Sequence, residues 1–239
     1  MLEILIATGN PHKVEEMEAL FGRLLPAGSI QLRSLKDIAP KTSEPAETGS
    51  TFEANATIKA VSYAHQTGML CLADDSGLEI DALGGKPGVI SSHYCTDGRE
   101  TGMTRPQRDA ANNQRVLREL EGVPIEHRTA RFVCIMALAA PDNPSWIRAF
   151  QAPPPPTTKH PPSTDAPVHL VRGVFEGRIG IPPAVPRGEH GFGYDPLFLV
   201  GPEFTATSAE LSSEEKNARS HRGAAAVEMA RLLKQMISG

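Results

Sequence analysis

The sequence holds too few cysteines for a disulfide framework and none in a metal-binding pair. Its three, Cys71, Cys95 and Cys134, lie far apart, and no CxxC occurs. That pattern reads as reduced core thiols of a cytoplasmic protein. The eight histidines show no HExxH spacing, which argues against a zinc hydrolase of that type. No basic stretch precedes the opening apolar run Leu2–Ala7, and the run is too short for a signal peptide. Nowhere does an apolar run approach the ~20 residues that span a bilayer. A basic stripe is also missing and the net charge is −4, so neither nucleic acid nor a membrane is an expected partner. A polyanionic ligand would need a local cluster of Lys and Arg. No repeat of solenoid length is present.

What is there is an ample core. Of 239 residues, 40% are hydrophobic, enough for a single domain over 1–239, with room for two lobes. Residues 2–7 read as a buried strand running into a helix with Asn10 as N-cap and Pro11 in its first turn; Val14, Met17, Phe21 and Leu24 recur at helical spacing. Residues 28–49 read as a weak strand and a loop. Ser50 and Glu53 have capping-box spacing and open a second helix ending near Gly68. Phe52, Ala56, Lys59 and Tyr63 share one face of it, and a lysine on an apolar stripe either snorkels or meets an anion.

Residues 69–73 predict a strand that stops at Asp74-Asp75-Ser76-Gly77, followed by an alternating strand over 78–82. A helix is expected over 106–121 with Ala110, Val116, Leu117 and Leu120 inward, and strands over 129–139, 170–181 and 197–200. Residues 141–168 are rich in proline and read as a loop insertion between neighbouring strands. Ser212 and Glu215 form another capping box, with a helical turn to about Arg219. A final helix is expected from near Gly223 to Met236 with Val227, Ala230 and Leu233 inward. The order of elements predicts an α/β fold with a mixed sheet.

Four segments carry chemistry. Thr8-Gly9-Asn10-Pro11-His12-Lys13 places backbone N–H groups and a lysine at a helix N-terminus, where the dipole favours an anion. It is not a Walker A loop, and alone it is as well explained by an ordinary capped helix. Asp74 and Asp75 offer the hard oxygen ligands that Mg²⁺ uses, one or two at a time beside substrate phosphates. Adjacent strand residues point to opposite faces, so the two carboxylates should have different tasks; a polar strand terminus is the plainer alternative. Gly191 and Gly193 flank Phe192, which lets an aromatic ring approach a flat ligand, or plug the core. Glu215-Lys216-Asn217 and Ser220-His221-Arg222 gather donors suited to phosphate or to a base carbonyl, or make a solvated charged turn.

Together these segments are specific. ATGNPHKVEE, ETGSTFEANATIKA, LADDSGLEIDALGGKPG, HGFGYDPLF and AELSSEEKNARSHRG occur in that order. The chain resembles the RdgB-type inosine/xanthosine triphosphate pyrophosphatase family, which acts on non-standard purine nucleotides. The resemblance runs from about Leu2 to the C-terminal helix, interrupted by the proline-rich stretch. It implies an elongated two-lobed α/β fold with a long mixed sheet, flanking helices and an active site in the cleft between lobes. It also implies a Mg²⁺-dependent homodimer that hydrolyses ITP, dITP and XTP to the monophosphate and pyrophosphate.

Carried over by position, Thr8, Gly9, Asn10, Pro11, His12 and Lys13 bind the phosphate chain. Glu47 and Asp75 hold Mg²⁺, Asp75 is the general base and Asp74 supports it. Lys59 contacts phosphate and Ser76 contacts substrate. Phe192 stacks on the base in a pocket shaped by Gly193, Tyr194 and Asp195, and Lys216, His221 and Arg222 read the nucleotide. The chain departs from the family pattern at His93, where Arg is usual, at Phe175-Glu176-Gly177, where Trp-Pro-Gly is usual, and at Arg219, where an aliphatic residue is common. Two other readings compete: a pyrophosphatase for another modified nucleotide, and a non-catalytic nucleotide sensor on the same scaffold. The second predicts loss of Lys13, Glu47 or Asp75, and all three are present.

Overall fold

The computed structural model describes residues 1–38, 42–141 and 168–238. The proline-rich segment lies outside the described residues except for its end positions. Strand β1 (Leu2–Ile6) leads into helix α1 (Pro11–Leu24); β2 (Ile30–Ser34) and the short α2 (Leu35–Ile38) follow, then α3 (Phe52–Thr67) and β3 (Leu70–Ile80). Helix α4 (Arg105–Glu119), β4 (Thr129–Ala139), β5 (Val168–Ile179), β6 (Phe198–Val200), α5 (Ser213–Arg219) and α6 (His221–Ser238) complete the order. The sheet runs β2-β1-β3-β4-β5-β6. Strand β1 is parallel to β2 and β3, whereas β6 is antiparallel to β5, so the sheet is mixed as expected. Among the described residues no helix is long and apolar enough to cross a membrane.

The chain divides into two compact units: Met1–Asp75 with Cys134–Gly173 and Ala225–Gly239, and Ser76–Val133 with Val174–Ala224. The first is centred on Ile4 and Ile6 of β1, Leu70 and Leu72 of β3, Met17 and Phe21 of α1, and Ala226, Met229 and Leu233 of α6. The second is centred on Leu78 and Ile80, Tyr94, Val116 and Leu120, Phe132, and Leu197 to Val200. The thiols of Cys71 and Cys134 are buried, Cys95 is partly so, and none of the three is in a disulfide. Burial pushes the Cys71 thiol up to about 12, which keeps it an inert core group.

Several local expectations shift. The N-cap of α3 is Thr51, whose side chain accepts from the Ala54 N–H, so the helix starts one residue later than the Ser50–Glu53 spacing suggests. Glu53 instead pairs with Arg172 at 3.4 Å. Strand β3 does not turn at Asp74-Asp75-Ser76-Gly77 but runs through it. Gly77 is not left-handed, and charged partners meet both aspartates where they stand. In α4 Ala110 is exposed and Asn112 is buried. The Asn112 amide holds the preceding irregular segment, accepting from Cys95 N–H and donating to the Ser91 and Ser92 carbonyls. Helix α6 begins at His221, and its inward stripe runs through Ala226, Met229 and Leu233, leaving Val227 38% exposed.

Candidate active site

In the first unit the turn after β1 is shaped by its own side chains. Asn10 N–H donates to Thr8 Oγ1, and Asn10 Oδ1 caps α1 by accepting from His12 N–H. Gly9, Pro11 and His12 are exposed. Lys13, in the first turn, places Nζ 2.9 Å from Oδ2 of the fully buried Asp74 side chain. Strand alternation explains why Asp74 meets α1 while Asp75 does not. Leu70, Leu72 and Asp74 share one face; Cys71, Ala73 and Asp75 share the other.

Asp75 meets α3. Lys59 Nζ lies 3.0 Å from Asp75 Oδ1 and 3.1 Å from Glu47 Oε2. The lysine on the apolar stripe therefore meets anions rather than snorkelling. Burial alone would lower the Lys59 pKa, but the charges of Asp75, Asp74 and Glu47 outweigh it and hold the ammonium above the ordinary lysine value. Burial raises the Asp75 carboxyl above the ordinary aspartate value, and the opposing charges of Lys59 and Lys13 do not cancel it.

Glu47 reaches this centre because of two residues that sequence reasoning missed. The Gly49 N–H donates to Oδ1 of the buried Asn55 at 2.7 Å. A Cβ at Gly49 would stand 2.6 Å from Ala54 Cβ and 2.6 Å from Asn55 Oδ1, so only glycine lets the loop press on α3. An asparagine beside Phe52 and Ala56 in the first turn of the helix was the available signal.

The donor set suits Mg²⁺. Among the described residues no group of three His, Cys, Asp or Glu could cage a metal. Mg²⁺, however, is usually held by one or two carboxylates, with water and phosphate completing its shell. Glu47 and Asp75 both lie within 3.1 Å of one ammonium nitrogen. The buried Asp75 Oδ2 has no hydrogen-bond partner.

The second unit carries the aromatic loop and the donors. Phe192 is partly exposed, and its N–H donates to Asp195 Oδ2 at 2.8 Å. The same oxygen accepts from Lys216 Nζ at 2.6 Å, and that ammonium is 5.2 Å from the Phe192 ring centroid. Gly191 has φ +80, and a Cβ there would collide with the Asp195 carboxylate. Tyr194 is core: it is buried and donates its hydroxyl to the Ser91 carbonyl. His221 is buried and stacked on Phe132 at 5.2 Å. The buried Arg222 donates to Ser76 Oγ at 3.1 Å. Thus Lys13, Glu47, Lys59, Asp74 and Asp75 gather in one unit, and Phe192, Asp195 and Lys216 in the other. Arg222 and Ser76 form a separate contact within the latter.

Comparison with known proteins identifies the family. The sequence profile of the Ham1 family matches residues 4–154 and 155–232. The chain belongs to the Ham1 family. It is 42% identical to the dITP/XTP pyrophosphatase of Nitratidesulfovibrio vulgaris over 93% of this chain and 91% of that one. It is 39% identical to the dITP/XTP pyrophosphatase of Geobacillus kaustophilus over 100% and 98% of the two chains. The solved HAM1 protein of Coxiella burnetii is similar with a TM-score of 0.74 at 38% identity, over 98% of this chain and 100% of that one.

The departures from the family pattern have local partners in this Ham1 chain. His93 Nε2 sits 3.1 Å from Glu100. Phe175 packs on Phe198, Glu176 pairs with Arg131, and Arg219 donates to the Gly201 carbonyl.

Proposed function

We propose that the chain is a Mg²⁺-dependent nucleoside triphosphate pyrophosphatase. It hydrolyses non-standard purine nucleotides, ITP, dITP and XTP, to the monophosphate and pyrophosphate and so cleanses the nucleotide pool. The observation that carries this is the Glu47–Lys59–Asp75 contact, two carboxylates on one buried ammonium, in a chain whose relatives are named for that activity. The proposal includes a homodimer working in the cytoplasm, where thiols such as Cys71, Cys95 and Cys134 stay reduced.

Glu47 and Asp75 are the residues that would hold Mg²⁺; when bound, it supplies charge neutralisation for the triphosphate and polarises the reacting phosphoryl group. Asp75 accepts the proton of the attacking water. Asp74 holds the Lys13 ammonium in place, and Lys13 and Lys59 stabilise the charge that builds on the leaving pyrophosphate. The turn from Thr8 to His12 offers N–H groups to the phosphate chain, and Ser76 contacts the substrate. Little covalent work falls to the protein; position and field do the rest.

Phe192 stacks on the purine, beside Gly193, Tyr194 and Asp195. Donors from Lys216, His221 and Arg222 meet the six-position carbonyl of inosine and xanthosine, and the same donors face the amino group of adenosine badly. A site built to hydrogen-bond one group rejects an analogue lacking it, because polar atoms are then left unpaired.

The test is pyrophosphate released from ITP, XTP, dITP, ATP and GTP, with and without Mg²⁺. ITP is expected to turn over far faster than ATP, and only with the metal. Equal rates for ITP and ATP refute the selectivity, and binding without turnover reassigns the chain as a sensor.

A further inference from the structure

Helix α4 carries Arg105, Asp109 and Asn113 at four-residue intervals, on one helix face. All three reach the loop that bears Phe192. Asp109 Oδ2 accepts from the Gly193 N–H at 3.1 Å, and Asn113 Nδ2 donates to the Gly193 carbonyl at 3.0 Å. The peptide groups on both sides of Gly193 are therefore held by the same helix. The Arg105 guanidinium carbon lies 4.6 Å from the Phe192 ring centroid, and its Nε is 3.9 Å from Asp109 Oδ2.

This clamp answers a problem set by the sequence. Gly191 and Gly193 both have positive φ, at +80 and +64, and a segment so rich in glycine has many conformations to lose before its aromatic ring can serve as a platform. Fixing both peptide groups of Gly193 removes that freedom in advance. Arg105 and Lys216 both lie near the ring, 4.6 and 5.2 Å from its centroid, and a cation near a phenyl ring is attracted by its quadrupole and so holds the ring in place.

We propose that Arg105, Asp109 and Asn113 are positioning residues for the base: Asp109 and Asn113 set the loop, and Arg105 holds the Phe192 ring in the orientation that receives the purine. This rests on the reading in which Phe192 stacks on the substrate base. The three residues act through Phe192 and Gly193, and their effect falls on binding rather than on bond cleavage.

Steady-state kinetics of the full-length protein with ITP and Mg²⁺ test it. Arg105→Met, which keeps the length of the stem, is expected to raise KM by roughly threefold to tenfold with kcat little changed. Arg105→Lys recovers part of the loss, and Asn113→Ala moves KM in the same direction. In a Phe192→Ala background, Arg105→Met adds nothing further, because the ring through which it acts is gone. The half-exposed Arg105 can be replaced without unfolding, and an unchanged melting temperature in Arg105→Met checks this. If Phe192→Ala raises KM but Arg105→Met does not, or if the two effects multiply in the double variant, the positioning role is wrong while stacking stands. If Phe192→Ala itself leaves KM unchanged, stacking and positioning fall together.

Discussion

Lys59 Nζ sits 3.0 Å from Asp75 Oδ1, with only 10% and 11% of the two side chains exposed. Lys59 lies on α3 and Asp75 in the middle of β3, sixteen residues on. The pair joins α3 to β3; the Asp75 charge helps hold the Lys59 ammonium above its ordinary value, while burial outweighs Lys59 and raises the Asp75 carboxyl. The pair also separates two roles that a single substitution would confuse: holding the fold and accepting a proton.

Asp75→Asn keeps the volume of the side chain and an oxygen for Lys59, while removing the negative charge and the proton-accepting lone pair. Loss of a general base lowers turnover by about 10²–10⁴-fold, and loss of a metal ligand adds to that. Pyrophosphate release should fall at least that far, with the circular dichroism spectrum unchanged. Near-normal turnover in Asp75→Asn removes Asp75 from the mechanism.

Lys59→Met leaves Asp75 a buried carboxylate without its closest ammonium. Breaking one side of a buried ion pair costs about 3–5 kcal/mol, most of it the penalty of the charge left behind. The expected result is a lower unfolding midpoint in urea together with lost activity. Combining Lys59→Met with Asp75→Asn removes the orphaned charge, so the midpoint should recover a large part of the loss while turnover stays absent. A double variant no more stable than Lys59→Met shows that the cost lies elsewhere, in lost packing of the lysine stem.

Much of this was legible before the structure, for reasons that differ by residue. Two aspartates adjacent on a strand must face opposite ways, and Lys13 and Lys59 meet them one on each side. Lys59 stood out because an ammonium on an apolar helix face either snorkels or meets an anion, and the structure supplies the anions. The turn at Asp74-Asp75-Ser76-Gly77 was misread because four polar or small residues in succession resemble a terminus, and only tertiary partners let the strand continue. Val227 faces outward because the buried stripe of α6 passes through Ala226, Met229 and Leu233, one residue away from it. The grip of Asn55 on Gly49, and of Asp109 and Asn113 on Gly193, depends on which helix passes which loop. No local pattern encodes that.

Asp81 gives a pH dependence of defined sign. Hydrogen bonds first from Arg131 and then from Thr129 hold its carboxyl below the ordinary value of 3.8. Arg131 is bidentate, at 2.9 and 3.0 Å. A group with a depressed folded pKa contributes stability above its unfolded value, and that contribution disappears as pH falls through the folded value. The carboxylate is largely open to solvent, so the effect is small and screened by salt. Asp81→Asn should therefore melt below the parent protein at pH 7, with a gap that is steady down to about pH 4 and closes below it. A gap that widens as the pH falls reverses the assignment.

Lys216 offers the sharpest test of base selection. Its ammonium is tied to Asp195 Oδ2 at 2.6 Å, which uses one of its three hydrogens and leaves two for a ligand. Asp195 in turn accepts from the Phe192 N–H, so one carboxylate orients both the stacking ring and the donor beside it. Lys216→Met will weaken binding of every nucleotide, because Asp195 is left buried without its cation. The ratio of kcat/KM for ITP to that for ATP cancels this common damage. What survives in the ratio is the hydrogen bond that a six-position carbonyl accepts and an amino group cannot, on the order of a tenfold effect for one such bond. The ratio should fall by about that factor, chiefly through loss on ITP. A ratio unchanged in Lys216→Met assigns discrimination to His221 and Arg222 and leaves Lys216 as the residue that holds Asp195.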